Sequence, residues 1–161
     1  LRFPWDRIYK LALEKPGYGV FVTARLPERE QLFKWVGPIG PDDWVLLAKG
    51  DNPINLTSLD EAKSHRIGAY KGDAIAEHLS KQGLRPSIVL RDQDNAGKLL
   101  RGEIDLWATG DPAGRYLARQ IGILFERITP IGAMVNDSGP KIGETTPAFD
   151  LPSLTGGSVR I

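Results

Sequence analysis

The feature that most constrains this chain is a regular alternation of two hydrophobic periods from Arg66 to Phe125. Arg66-Ile-Gly-Ala-Tyr70 reads as a strand, and Asp73 to Gln82 as a helix closed by Gly83. Ser87 to Arg91 is predicted as a strand, and Asn95 to Arg101 as a helix closed by Gly102. Ile104 to Ala108 is again a strand, Pro112 to Gln120 a helix, and Ile121 to Phe125 a strand or its start. Strands that alternate with helices, two of them stopped by glycine, specify an α/β fold with a mostly parallel sheet. The compact unit so defined runs from about Asn52 to Glu126.

The flanks follow other patterns. Pro4 to Lys15 is predicted as a helix whose apolar face carries Trp5, Ile8, Leu11 and Ala12, with Pro16-Gly17 as its stop. Tyr18 to Ala24 reads as a strand, and Leu26 to Leu32 as one short helical turn opened by Pro27. The series Gly37-Pro38-Ile39-Gly40-Pro41 breaks the chain before a strand at Asp43 to Lys49. Thr57 to Ala62 has the look of a short capped helix. From Asn136 the tail is rich in glycine and proline. Its fragments Ala148 to Leu151 and Val159 to Ile161 are candidate strands around a Thr155-Gly156-Gly157 turn.

Composition narrows the function. Of the 161 residues 41% are hydrophobic and 25% charged, with a net charge of +1, so no concentrated basic field points to nucleic acid or a membrane surface. No apolar run approaches the roughly 20 residues that span a bilayer. With no cysteine, disulfides, thiol catalysis and cysteine-held metals are excluded within the chain. His65 and His78 lie in polar contexts and read as solvated side chains rather than metal ligands. No nucleophile–base pair stands out, so an enzyme is not expected. No cofactor is expected either.

Arg25 and Arg29 stand four apart just after the apolar run Gly19-Val-Phe-Val22, with Phe33 and Trp35 following. A carboxylate that loses its water in a closing cleft needs a fixed, bidentate donor, and arginine is that donor. The plain alternative is a charged surface turn in which Arg29 pairs with Glu28 or Glu30. Its replacement would then leave folding intact. The aromatics Phe33, Trp35 and Trp44 either wall a cleft or fill a core, and Trp107, on a central strand, reads as core.

Four stretches carry a resemblance: PWDRIYKLALEKPG, ARLPEREQLFKWVGPI, SLDEAKSHRIGAYKGDAIAEHL and NAGKLLRGEIDLWATGDPAGRYLARQIG. In order and spacing they resemble the family 3 bacterial extracellular solute-binding proteins, over roughly residues 1 to 135. The resemblance implies a periplasmic binding protein-like (type II) two-lobe fold. On that template residues 1–51 and 127–137 form a partial lobe one, and 52–126 form a complete lobe two. The tail, 138–161, resembles the opening of a thioredoxin-like or peroxiredoxin domain, though without cysteine it carries no redox centre.

The resemblance also implies a site. Arg29, in Pro27-Glu28-Arg29, matches the family's carboxylate-binding arginine, with Arg25 as a second cation and Trp35 as a candidate wall. Tyr70-Lys71-Gly72-Asp73 matches the lobe-two turn that touches the ligand carboxylate. Tyr70 and Gly72 are therefore candidate contacts, although Asp73 is also a good N-cap for the helix. The family's ammonium-binding acid falls on Gly110, beside Asp111, which either turns inward or caps the following helix. Asp105 reads as structural.

The implied function is binding of a small polar solute, an amino acid or related carboxylate, for an ABC importer permease or a signalling partner. The implied location is the periplasm. No signal peptide is recognised in these residues, and the true start is expected upstream. The alternative is a non-catalytic interaction domain of a larger envelope protein, fused to a thioredoxin-like domain. An incomplete lobe one is expected to leave Ile8, Leu11 and Val20 available for self-association.

Overall fold

A computed structural model describes residues 4–40, 42–49, 54–121, 130–134, 150–152 and 158–160. The expected strand at Ile121 to Phe125 lies almost wholly outside them. The chain divides into two compact units. The first comprises Leu1–Phe21 with Asp42–Asp137, and the second Val22–Pro41 with Ser138–Ile161.

In the first unit the predicted alternation is present. Strand β1 is Asp43–Ala48 and β2 is Ile67–Tyr70. Helix α2 is Ala74–Lys81, β3 is Ser87–Val89 and α3 is Gln93–Leu100. Strand β4 is Leu106–Asp111, α4 is Ala113–Gln120 and β5 is Pro130–Met134. Helix α1, Trp5–Glu14, precedes them. A 3-10 helix at Leu59–Ser64 enters β2, its start held by Glu61, whose carboxylate accepts from the Thr57 N–H (2.8 Å) and hydroxyl (2.6 Å).

The sheet order is β3-β2-β4-β1-β5. Strand β2 is parallel to β3 and to β4. Strand β1 is antiparallel to both neighbours, from Asp43 opposite Asp111 to Ala48 opposite Leu106 on one side, and from Trp44 opposite Met134 on the other. Four strands therefore share a direction and one opposes them. The sequence reading assigned residues 1–51 and 127–137 to lobe one and 52–126 to lobe two. The hydrogen bonds instead place Asp43–Ala48 and Pro130–Met134 inside the sheet of β2, β3 and β4. Hydrophobic periodicity marks a strand but does not say which neighbour it pairs with, and the division was lost there.

Burial follows from that position. Every residue of β1 from Trp44 to Ala48 is buried, as expected of a central strand covered on both faces. One side of the core packs Val45, Leu47 and Trp107 against Ala96, Leu99 and Ala118 of the two following helices. Trp107 and the helix stops Gly83 and Gly102 behave as the sequence suggests, and Trp44 takes the core alternative. Both tryptophans are buried, and both glycines take positive φ, 80° and 69°. At the sheet's far side β3 is a short edge strand that leaves Ser87 and Ile88 exposed. Helix α1 matches its prediction in span but buries no residue fully, and Ile8 and Leu11 are half-buried.

The expected strand at Tyr18 to Ala24 does not form. A strand needs a neighbour to satisfy its N–H and C=O groups, and none of the described ladders includes this segment. Phe21 and Val22 stand exposed. In the second unit, Pro27–Leu32 is a 3-10 helix, as the proline at its start suggests. The tail's two short strands, Asp150–Pro152 and Ser158–Arg160, pair antiparallel as the sequence proposes.

Close packing of α3 on β2 depends on Gly68. A Cβ there would lie 2.4 Å from Asn95 Oδ1 and 2.6 Å from Ile104 Cδ1. Asn95 is fully buried and its amide donates to Asp92, so it cannot swing aside. Gly68→Ala is expected to destabilise the protein by about 1–3 kcal/mol. Gly19→Ala, with nothing within 4 Å of the added methyl, should stay within about 0.5 kcal/mol of the parent. Urea unfolding of the two variants beside the parent measures the difference, and equal midpoints would contradict the packing described.

Candidate functional site

Because β2, β3 and β4 run parallel, their carboxyl ends lie at one edge of the sheet, where open α/β sheets gather ligand-contacting residues. Antiparallel β1 begins at that same edge, since Asp43 sits opposite Asp111. The edge therefore collects Tyr70 to Asp73 after β2, Asp92 after β3, Asp111 at the end of β4, and Asp42 before β1.

Tyr70-Lys71-Gly72-Asp73 is a tight turn in which Gly72 takes φ 71°, a left-handed conformation that suits glycine. The Asp73 N–H donates to the Tyr70 carbonyl at 3.3 Å. Asp73 is the N-cap of α2 and accepts from the Ile75 N–H at 3.3 Å. The N-cap reading is thus realised, and one of the helix's free N–H groups is satisfied internally. Trp5 reaches this turn from α1. Its backbone N–H donates to Tyr70 Oη (3.0 Å), and its indole donates to the Gly72 carbonyl (2.9 Å).

Gly110 holds the position where the resemblance places an ammonium-binding acid. A Cβ built on it would lie 2.2 Å from Asp42 Oδ1 and 2.6 Å from Oδ2. The Asp42 carboxylate fills the space that a side chain at 110 would take. Sequence reasoning did not single out Asp42, which lies 68 positions from Gly110 and reaches it only through the β1–β4 register. Asp111 does not turn toward a free site. Its carboxylate accepts from Arg115 Nη2 (2.7 Å) and Nε (3.1 Å), one helical turn on.

The second acid missed in the sequence is Asp92. It accepts from Trp107 Nε1 (2.8 Å), Thr109 Oγ1 (2.8 Å) and Asn95 Nδ2 (3.1 Å). These bonds lash the start of α3 to β4. The available signal was its place between a strand and a helix, the same as that of Asp73.

Burial raises the Asp73 carboxyl to about 6, with Asp92 and Asp42 adding to the rise and the bond from Ile75 opposing it. Burial also raises Asp42, reinforced by Asp43 and Asp111. Burial raises Asp92 as well, against three hydrogen bonds that favour its ionised form. The edge is therefore an electronegative concentration in which ionisation is unfavourable.

The remaining sequence candidates lie in the second unit. Arg25 forms a fork with Glu30, Nε to Oε2 at 2.8 Å and Nη2 to Oε1 at 2.5 Å, and its guanidinium carbon stands 5.8 Å from the centre of the Trp35 ring. The Trp35 indole donates to the Glu30 carbonyl at 3.2 Å, and Phe33 meets Trp35 edge-on at 5.5 Å. Arg25, Glu30 and Trp35 are thus mutual partners, and the pair raises the Arg25 pKa and lowers that of Glu30. Arg29 sits in the same 3-10 turn with only 5% of its surface exposed. The expectation that it can be replaced without touching stability does not survive that burial. Glu30, one of its two suggested partners, is bound to Arg25.

Among the described residues no group of three or more histidines, aspartates or glutamates is placed to hold a metal ion. No described helix is long and apolar enough to cross a membrane. A cavity of about 370 Å³ beside α3 is lined by Arg91, Lys98, Arg101 and Ile121 among others. Both arginines there are spent on neighbouring carboxylates, Asp94 and Glu103.

The architecture is that of a type II periplasmic binding protein-like domain. The solved structures it resembles include a substrate-binding protein of an ABC uptake transporter from Streptococcus pneumoniae with bound histidine. That match has a TM-score of 0.64 at 16% identity, covering 81% of this chain and 56% of that one. An ancestral arginine-binding protein bound to glutamine matches with a TM-score of 0.62 at 18% identity, over 85% of this chain and 66% of that one. The arginine-, lysine-, histidine-binding protein ArtJ from Geobacillus stearothermophilus matches with a TM-score of 0.61 at 19% identity, over 74% and 52%. No family model matches the chain.

Curated relatives are of another kind. The methylamine utilization protein MauD of Methylorubrum extorquens is 53% identical over 45 residues, 28% of this chain and 22% of that protein. MauD of Methylobacillus flagellatus is 49% identical over 75 residues, 41% of this chain and 34% of that protein. The chain spans a fifth to a third of these relatives.

Asp73 sets a pH dependence. Its folded pKa of about 6 exceeds the ordinary 3.8. It therefore favours the folded state fully below the lower value, and that contribution is lost as pH rises through about 6. Asp73→Asn keeps an N-cap acceptor but does not titrate. The variant is expected to be more stable than the parent at pH 7 by about 1–3 kcal/mol, and to show a flatter stability profile between about pH 4 and 6. Urea unfolding of both proteins at pH 4 and pH 7 measures this. The same pH slope in both would rule out the assignment.

Proposed function

We propose that the protein binds a small polar solute bearing a carboxylate, as an extracytoplasmic solute-binding module that serves an importer or a sensor. The observation that supports this most is the strand edge itself. A tight glycine turn opens α2 there, and the Asp42 carboxylate stands over Gly110, where a carboxylate would meet the ammonium group of an amino acid. The solved structures of similar fold are described as binding histidine, glutamine or arginine, which favours an amino acid among polar solutes. On this reading Asp42 takes the ammonium, and Tyr70 and Gly72 contribute the turn; Arg29, in the second unit, is carried as a carboxylate donor by the family resemblance. Arg25 and Trp35, already engaged with Glu30, support the Arg29 turn rather than contact solute. Asp111, held by Arg115, is a neighbouring charge.

A second reading has a specific observation behind it. The short, high-identity matches to methylamine utilization proteins and the tail's likeness to the opening of a thioredoxin-like domain favour a longer envelope protein. In it the α/β unit serves as a non-catalytic interaction domain.

Calorimetric titration with L-arginine, L-histidine, L-glutamine and L-glutamate separates the two. Solute binding predicts saturable heat with at least one, and no heat with any of them favours the interaction domain. For a ligand that binds, Arg29→Lys is expected to weaken affinity about 30-fold or more, since an ammonium cannot reproduce the guanidinium fork. Asp42→Asn should weaken it as well. Arg29→Lys retains the buried charge, so thermal melts alongside distinguish lost binding from lost folding. Unchanged affinity in Arg29→Lys would remove Arg29 from the site.

A further inference from the structure

The first turn of α1 lies directly on the turn between β2 and α2. Trp5 places two donors there, its backbone N–H on Tyr70 Oη and its indole on the Gly72 carbonyl. Asp6 Oδ2 lies 3.2 Å from Lys71 Nζ. A methyl at Gly72 would stand 3.5 Å from Asp6 Cβ and 3.6 Å from Trp5 Cδ1, so the two turns are in van der Waals contact. Asp6 is a carboxylate, seated beside the turn that the solute-binding reading reserves for a carboxylate. Its attachment is weak by construction. The Asp6 and Lys71 side chains are 43% and 54% exposed, and exposed pairs contribute little. Helix α1 buries no residue fully, and its N-cap, Pro4, makes no side-chain bond to the helix.

We propose that the first turn of α1 is an internal competitor for the solute: Trp5 anchors that turn on the β2–α2 turn and so keeps Asp6 on Lys71, until a solute carboxylate takes the place of the Asp6 carboxylate and the first turn of α1 is released. The inference rests on the solute-binding reading above. It adds that apparent affinity is lowered by the fraction of molecules in which the turn is occupied. Weakening the internal contact raises affinity without altering any group that touches solute. A helix that only packed on the turn for stability would give the opposite sign, because its loss would loosen the turn and weaken binding.

The test uses the full chain with 15N-labelled tryptophan, the Trp5 indole resonance being assigned by its disappearance in Trp5→Phe. The protein is titrated with L-arginine, L-histidine and L-glutamine. The expected result is that a bound amino acid moves the Trp5 indole signal toward its solvent-exposed position and speeds its hydrogen exchange. Asp6→Asn and Trp5→Phe should each bind the same amino acid about two- to fivefold more tightly. Affinity that is equal or weaker in both variants, with the Trp5 signal unmoved at saturation, overturns the competitor while leaving the solute-binding reading intact. Failure of all three proteins to bind any of the amino acids overturns both.

Discussion

Strand β1 is the member on which the rest of the first unit depends. It accepts and donates hydrogen bonds on both edges, to β4 along its whole length and to β5 over part of it. Without it, β5 would have no neighbour in the sheet and β4 would be an edge. Its residues Val45 and Leu47 also anchor the core that α3 and α4 cover. Antiparallel insertion has a second effect. It brings the start of β1, and with it Asp42, to the carboxyl ends of the parallel strands.

That edge gathers carboxylates in a way that a surface chosen for stability alone would avoid. Asp43 and Asp111 are directly opposite across an antiparallel pair, an arrangement that is unfavourable for like charges. Arg115 relieves one of them. Asp92 is relieved by three donors, and it repays them by fixing the junction of β3, α3 and β4. Asp73 is relieved by the backbone N–H groups of Ile75 and Ala74, and burial nevertheless raises its pKa. Clustered carboxylates with raised pKa are commoner at binding sites than in cores.

Much of the fold could be read directly. The helices, their glycine stops, the buried Trp107 and the structural Asp105, which forks with Arg66, all follow from local pattern. What could not be read depends on pairing. Strand β4 extends to Asp111, beyond the expected Ala108, because β1 continues beside it. Tyr18 to Ala24 has the composition of a strand but no ladder, so composition misled there. The candidate site divides in the same way. Tyr70, Gly72 and the N-cap Asp73 were legible because a strand–turn–helix junction is local. Asp42 was not, because only the register sets it over Gly110. The Arg25–Glu30 fork joins a residue ahead of the 3-10 helix to one inside it, with Leu26 extended between them, so it depends on how the chain enters that helix and not on a local sequence period.

The short outer strand β3 has a consequence for the protein in a crowded solution. Among the described residues its outer edge has no strand partner, and that edge with the exposed Ile88 and Leu90 offers a template on which a foreign strand can build. Three features blunt it. The strand is only three residues long, Pro86 interrupts the N–H row immediately before it, and Arg85 sets a positive charge ahead of it. An incoming strand would find too few bonds beside a charged gatekeeper, so brevity itself makes the edge resist aggregation.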